Sequence, residues 1–381
     1  MIDWTKVRRV LVIRLRSIGD TVLSTPSLVA LRRFLPDTEI DILLEDWVAP
    51  VLDGMEAVDE VISVGRGTGN RVRTAWDLRR RRYDVVFNLH GGTTATFFSR
   101  ATGAPHRVGY SDYQYSFLHN HLISSSSDYW GREFTHSAEQ QLALLGSAGV
   151  PVDDLPRSAL AVTETALRSL EEKFPAKPLS RKALALAYDG SAFKPEEPGE
   201  TAPGENDKFG KFALIHPSTA FATKQWAPEN YARIAEYLAA RGIKRVAIAS
   251  KAEAETLKKL TEASRVPIIT LDDLTLPEIT ALASRASVFV GNDSGIAHIA
   301  AAVGTPSVVI FGSSNRNHWR PWTDAPNEIV FQPFECQPCP GYRCEVFGEP
   351  KCIMSVAPVN VIAAIDRVLA QAPGTQAPPP A

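Results

Sequence analysis

Residues Ser287 to Gly312 read SVFVGNDSGIAHIAAAVGTPSVVIFG, and this stretch decides the fold class. Val288 to Val290 is a short apolar run, and Gly291-Asn-Asp-Ser-Gly295 turns the chain. Ile296 to Val303 is small and apolar, Gly304-Thr305-Pro306 stops it, and Val308 to Phe311 is apolar again. The spacing predicts strand, turn, helix, turn and strand. Strands that are apolar without alternation suit a parallel sheet covered by helices on both faces. Asp293-Ser294-Gly295 falls at the strand-to-helix corner, where helix N–H groups and a hydroxyl point past the strand ends. That is a phosphate-binding arrangement. An ordinary capped helix, with Asp293 or Ser294 as N-cap, explains the same residues. The rest of the chain decides between the two.

Composition narrows the choice. At 381 residues the chain exceeds one ordinary core, and two domains are expected. With 41 basic and 43 acidic residues the net charge is −2, so no global field recruits nucleic acid. Met1 to Leu15 lacks the apolar core and cleavage site of a signal peptide. No apolar run approaches the roughly 18–20 residues that span a bilayer, so the expectation is a soluble cytoplasmic protein.

In the N-terminal half, Arg9 to Leu15 (RVLVIRL) predicts the first strand and Arg16-Ser-Ile-Gly-Asp20 the turn after it. A helix is expected over Thr21 to Leu35, with Pro26 kinking it or delaying its regular part. Asp20 then sits at a helix start just past a strand's carboxyl end. It is either a plain N-cap or a carboxylate at the mouth of an interdomain cleft, placed to take a proton. Glu39–Leu44, Val58–Val64 and Tyr83–Leu89 read as further strands. His90-Gly91-Gly92 ends the last of these, and helix resumes over Thr93–Arg100. Arg66, Arg71, Arg73 and Arg79 to Arg82 form a basic concentration with two readings, a solvated helix face or a surface meeting anionic headgroups or a phosphorylated, carboxylated acceptor. Arg107 to Tyr110 reads as a short strand edge, Tyr113 to Phe134 as loop, and His136 to Leu145 as helix.

Strands alternating with helices argue for a doubly wound α/β sheet. The sequence then breaks at Ser191 to Asp207 (SAFKPEEPGETAPGEND), which has the composition of a flexible insertion. Phe212 to His216 opens a second set of strands, continued by Arg245–Ser250 and Pro267–Leu271. Helices are expected at Pro228–Arg241, Ala252–Ala263 and Leu276–Ala286. The loop before Pro228 carries Ser218, Thr219 and Lys224, hydroxyls and an ammonium suited to hold a diphosphate and neutralise a leaving group. Lys224 also fits an ordinary solvent-facing loop lysine. The expected domains are therefore 1–185, an acceptor-side Rossmann-like domain, then 186–210 as linker or insertion. A nucleotide-sugar-binding domain at 211–357, a closing helix at 358–371 and a disordered tail at 372–381 follow.

Three motifs in this order, IRLRSIGDTVLSTP, IHPSTAFATKQWAPENY and VGNDSGIAHIAAAVGTPSVVIFG, resemble glycosyltransferase family 9. Those are the bacterial ADP-heptose:lipopolysaccharide heptosyltransferases, here heptosyltransferase II-like. The resemblance runs from about Arg9 to the helix at Val359–Ala370. It implies the GT-B architecture, two doubly wound Rossmann-like domains facing an interdomain cleft. It implies Asp20 as general base and Lys224 as the catalytic cation on the donor's phosphates. Ser218, Thr219, Asp293, Ser294, Gly295 and His298 become donor-binding residues, and Arg14, Gly19, Gly91 and Arg107 acceptor-binding ones. Arg14 stands where some members have lysine, which keeps the charge. The implied reaction is inverting transfer of heptose from ADP-L-glycero-D-manno-heptose to the Kdo/heptose inner core of lipopolysaccharide. The protein would work in cell-envelope biosynthesis, with peripheral contact at the inner face of the inner membrane. No cofactor is required for catalysis on this reading, since the lysine and helix dipole replace a metal and no Asp-X-Asp pair stands at a strand end. Two alternatives stay open: a family member with another nucleotide-sugar or acceptor, and a non-catalytic nucleotide-sugar-binding module. First and second heptose transfer are not distinguished.

Cys336, Cys339, Cys344 and Cys352, the chain's four cysteines, fall in one Pro- and Gly-containing loop. In a reducing compartment they suit tetrahedral structural zinc, with local disulfides and free thiols as the other readings.

Overall fold

The structure is a computed structural model that describes residues 2–174, 209–339 and 341–372. It divides into two compact units, Met1–Ala161 with Asn317–Trp322, and Val162–Arg316 with Thr323–Ala381. The expected boundary at 185 and nearly all of the 186–210 stretch lie outside the described residues, as does the tail from 373 onward.

The first unit is built on a parallel sheet of order β3-β2-β1-β4-β5-β6. Its strands are β1 (Arg9–Ile13), β2 (Glu39–Glu45), β3 (Glu60–Val64), β4 (Val85–Asn88), β5 (His106–Tyr110) and β6 (His121–Ile123). Val10, Leu11, Val12 and Ile13 are wholly buried, as a central strand covered on both faces must be. Between β1 and β2 the chain forms two helices rather than the expected one. These are α1 (Ile18–Val22) and α2 (Thr25–Phe34), with Pro26 in the first turn of α2. Proline is tolerated there because those N–H groups have no helical partner, so Pro26 starts a helix instead of kinking one.

Helix α3 (Thr68–Arg81) buries only Ala75 and Leu78. Within the basic concentration on it, Arg81 is committed inward: its guanidinium holds Glu60 at 2.6 Å and Asp41 at 3.2 Å. Arg71, Arg73, Arg80 and Arg82 are exposed. After β4 comes α4 (Gly92–Thr102). The stretch Tyr113 to Phe134, read above as loop, contains β6 and α5 (Ser126–Trp130). Three residues are too few to show a period, and α5 is set by its ends. The Ser125 hydroxyl accepts from the Asp128 N–H at 3.0 Å, and Gly131 closes the helix at φ +61°. Helix α6 (Ser137–Ser147) completes the unit.

The second unit carries a parallel sheet of order β12-β11-β10-β7-β8-β9. Its strands are β7 (Phe212–His216), β8 (Lys244–Ile248), β9 (Ile269–Leu271), β10 (Val288–Asn292), β11 (Ser307–Phe311) and β12 (Asn327–Phe331). The Ser287–Gly312 stretch folds as its sequence predicts. β10 lies between β7 and β11, with Val290 opposite Ile215 and Val308, and helix α11 (Gly295–Ala302) joins β10 to β11. Edge strand β12 has no counterpart in the sequence reading; its exposure is mixed because one side faces no neighbour. The described helices on this sheet also include α8 (Pro228–Ala240), α9 (Ala254–Ala263) and α10 (Leu276–Arg285).

Helix α7 (Glu164–Lys173) belongs to this second unit and packs on α10. The buried Glu278 carboxylate of α10 holds it: Ser169 Oγ donates at 2.6 Å and Lys173 Nζ at 2.9 Å. The residues Asn317–Trp322, by contrast, return to the first unit. The Trp322 ring stacks on His136 at 4.6 Å, and its indole N–H donates to the Pro156 carbonyl at 2.8 Å. Among the described residues no helix is long and apolar enough to cross a membrane.

Burial alone would raise the Glu278 carboxyl, but hydrogen bonds from Ser169, the Thr275 backbone and Lys173 outweigh it and hold the group at about 2, below its ordinary 4.5. A depressed carboxyl contributes stability that is complete above its unfolded pKa and lost as pH falls through the folded value. Glu278→Gln should therefore lower unfolding free energy near pH 7 by about 1–3 kcal/mol. Urea melts from pH 7 to pH 2 should show the wild type converging on the variant between about 4.5 and 2.

Candidate active site

In the first unit, the turn after β1 places the predicted base. Asp20 is the third residue of α1 and closes a capping box with the N-cap Ser17: its Oδ2 accepts from the Ser17 hydroxyl at 2.9 Å and backbone N–H at 3.3 Å. Oδ1 pairs with the Arg14 guanidinium, which also donates to the Leu89 carbonyl. The carboxylate is thus gripped on both oxygens yet keeps 20% of its side-chain exposure, against 11% for Arg14. The N-cap and base readings of Asp20 are not exclusive, because capping uses one oxygen and orients the other. Gly19 is buried within α1.

The end of β4 supplies the neighbouring wall. His90 is held near 4 by burial and then by the positive charge of Arg14, so it is neutral at pH 7. Gly91 has φ +69° and ψ −165°, a region only glycine enters readily. A Cβ on it would stand 2.8 Å from the Tyr113 ring. The Asn88 side chain accepts from its N–H at 3.0 Å. His318 arrives on the returning segment: its Nδ1 is 3.2 Å from the Thr135 carbonyl. Burial lowers its pKa, while the Asp20 charge pulls the other way. His90, Tyr113 and His318 were not singled out from the sequence. For His318 the signal is only its place, shortly after β11, since nothing local shows the chain returning to the first unit.

Arg107 is not brought to this group. It lies near the start of β5, whereas Asp20, His90 and Gly91 follow the carboxyl ends of β1 and β4. Its guanidinium donates to the Leu118 carbonyl at 2.8 Å and to that of Ala104, so it ties a loop to the strand.

In the second unit the predicted donor residues converge on the ends of β7 and β10. Lys224 Nζ lies 2.8 Å from Asp293 Oδ2, with side-chain exposures of 19% and 5%. The Ser314 hydroxyl donates to the same oxygen. Asp293 thus holds the Lys224 ammonium through a buried carboxylate. Thr219 Oγ1 reaches the Asp293 carbonyl at 3.5 Å, and its N–H donates to Gln225 at 3.1 Å. Ser218 is buried, and its hydroxyl has no hydrogen-bond partner among the described residues. Ser294 is the N-cap of α11, with its hydroxyl 3.2 Å from His216 Nδ1. Burial pushes His216 down to about 4. Gly295 opens α11, and His298 is buried one turn further on.

Asn292, read from the sequence only as a turn residue, organises the loop around Lys224. Its side-chain amide donates to the Pro217 carbonyl at 2.9 Å and accepts from the Trp226 N–H at 3.1 Å. One buried amide thus clamps both arms of the hydroxyl–lysine loop. Each unit thus carries its own group of polar side chains: an oriented carboxylate in one, and in the other a cation beside hydroxyls and a helix N-terminus. That division of groups is what a nucleotide-sugar glycosyltransferase uses.

Comparison with known proteins defines the class and then the family. E. coli ADP-heptose lps heptosyltransferase II superposes on the chain with a TM-score of 0.72, covering 95% of this chain and 99% of that one at 20% identity. The fold is therefore GT-B. Glycosyltransferase family 9 (heptosyltransferase) matches residues 71–347, and the chain belongs to that family. It is 25% identical over 363 residues to lipopolysaccharide heptosyltransferase 3 of Escherichia coli, covering 92% of this chain and 96% of that protein. It is 26% identical over 321 residues to lipopolysaccharide heptosyltransferase 2 of Salmonella typhimurium, covering 81% and 83%. The protein is a glycosyltransferase.

Two substitutions test this geometry. Gly91→Ala should cost about 1–3 kcal/mol of stability, read by urea denaturation, because the residue must leave a glycine-only region and displace Tyr113. Lys224→Ala strands a buried carboxylate and should cost roughly 3–5 kcal/mol, most of it recovered in the Lys224→Ala/Asp293→Asn double variant.

Proposed function

We propose that the protein transfers heptose from ADP-L-glycero-D-manno-heptose to the inner core of lipopolysaccharide, with inversion and without a metal. The observation that carries this reading is the Asp20 carboxylate, fixed by Arg14 and Ser17 beyond the end of β1 and still open to solvent. A carboxylate so held is positioned to accept a proton from an acceptor hydroxyl. The freed oxygen attacks the anomeric carbon of the donor as the bond to the diphosphate breaks, and the electron pair leaves with ADP. Inversion follows from that single displacement.

Charge builds on the departing diphosphate. Lys224, the Thr219 hydroxyl and the N-terminus of α11 are the groups that meet it. Asp293 holds the ammonium in place, and the incoming phosphate, more strongly charged than one carboxylate, takes over part of its hydrogen bonding. With that positive charge in place, the reaction needs no divalent ion. The named relatives act on lipopolysaccharide and supply the acceptor class. An acceptor anchored in the inner membrane places the enzyme at that membrane's cytoplasmic face, and the exposed arginines of α3 suit contact with its anionic headgroups.

The test is transfer from ADP-heptose to purified lipopolysaccharides truncated at successive inner-core positions, followed by mass spectrometry. The wild type should extend one of them. Asp20→Asn should be slower by about 10²–10⁴-fold while still binding ADP. Undiminished turnover in Asp20→Asn would overturn the mechanism, and ADP binding without transfer to any core would overturn the acceptor.

A further inference from the structure

The four cysteines stand apart from the groups just described, yet they are knitted to the Lys224 loop. All four line one small cavity, together with Thr223 and Ser313. None is in a disulfide, and Cys352 is buried on a short helix, Lys351–Met354, that packs on the Ala222–Lys224 turn. The Cys339 N–H donates to the Ser313 carbonyl at 3.0 Å, and the Ser313 hydroxyl donates to Thr223 Oγ1 at 3.0 Å. Thr223 in turn donates to the Gly341 carbonyl inside the loop. A Cβ on Gly312 would stand 2.2 Å from the Thr223 carbonyl, so backbone meets backbone there without room to spare. The residue next to Lys224 is therefore bonded directly to the cysteine loop.

Among the described residues no three His, Cys, Asp or Glu side chains stand in a metal-binding arrangement. The thiols surround the cavity without forming a coordination shell, and closing the set requires adjustment of the loop.

We propose that Cys336, Cys339, Cys344 and Cys352 close on one tetrahedral thiolate-ligated metal ion, Zn²⁺ or Fe²⁺, and that this closure fixes the Lys224 turn for the donor's phosphates. Soft sulfur ligands in a set of four select those ions over Mg²⁺ or Ca²⁺. Each thiol that coordinates gives its proton to solvent, and no redox change is involved. The ion takes no part in the transfer chemistry.

The full chain should be purified under reducing, oxygen-free conditions and its metal content measured by mass spectrometry. About one equivalent of zinc or iron per chain is expected, lost in Cys344→Ser and in Cys352→Ser. Co²⁺ added to the metal-stripped protein should give the intense thiolate absorption of a tetrahedral site. Absence of metal and of a Co²⁺ signal, with four titratable thiols or a disulfide found by mass mapping, would overturn the site. The second readout rests on the proposed function: stripping should weaken ADP binding by about tenfold, and Zn²⁺ or Fe²⁺ should restore it. Unchanged ADP binding would overturn the link to Lys224 alone. If neither form binds ADP, the donor reading fails while the metal result still stands.

Discussion

The buried ion pair between Lys224 and Asp293 is the interaction on which the second unit's architecture turns. It joins residues far apart in the chain, one in the loop after β7 and one at the end of β10. Taking both charges out of water is costly, and the pair survives because further hydrogen bonds surround it, from Ser314 to the carboxylate and from Asn292 to the loop. Such a pair is weak evidence for stability but strong evidence for placement. An ammonium held at one point beside a helix N-terminus is a fixed positive site.

The first unit holds a carboxylate that keeps contact with solvent. Arg14 and Ser17 occupy chosen oxygens of Asp20 without sealing it from solvent, and His90 stays neutral beside them. Every group in this arrangement follows the carboxyl end of a parallel strand or arrives with the segment Asn317–Trp322. Backbone sterics explain why the wall can be so close: Gly91 alone tolerates both its dihedrals and the Tyr113 ring.

The central strands of both sheets were legible in the sequence because burial on both faces forces continuous apolar runs, as in Val10–Ile13 and Val288–Val290. The edge strands β3 and β9 were legible too, within Val58–Val64 and Pro267–Leu271, but the edge strands β6 and β12 were not. β6 has three residues, and β12 buries only Val330, so neither shows a period. The candidate site divides the same way. Asp20, Lys224, Thr219 and Ser294 were visible because each sits at a turn with its own local chemistry. What they touch was not visible. Asn292 reads as a turn residue, Asp293 as a phosphate neighbour and Arg107 as an acceptor contact, yet their partners are set by strand register and crossover. His318 was hidden for the same reason, since a chain that returns to an earlier unit leaves no periodic trace.

The central claim is that an oriented carboxylate activates an acceptor hydroxyl for direct displacement of the diphosphate. The anomeric configuration of the product, read by NMR on the newly formed glycosidic bond, tests that claim most directly. The account requires inversion relative to the donor, with no sugar covalently bound to the enzyme at any stage of turnover. Retained configuration, or a trapped glycosyl adduct on Asp20, would contradict it.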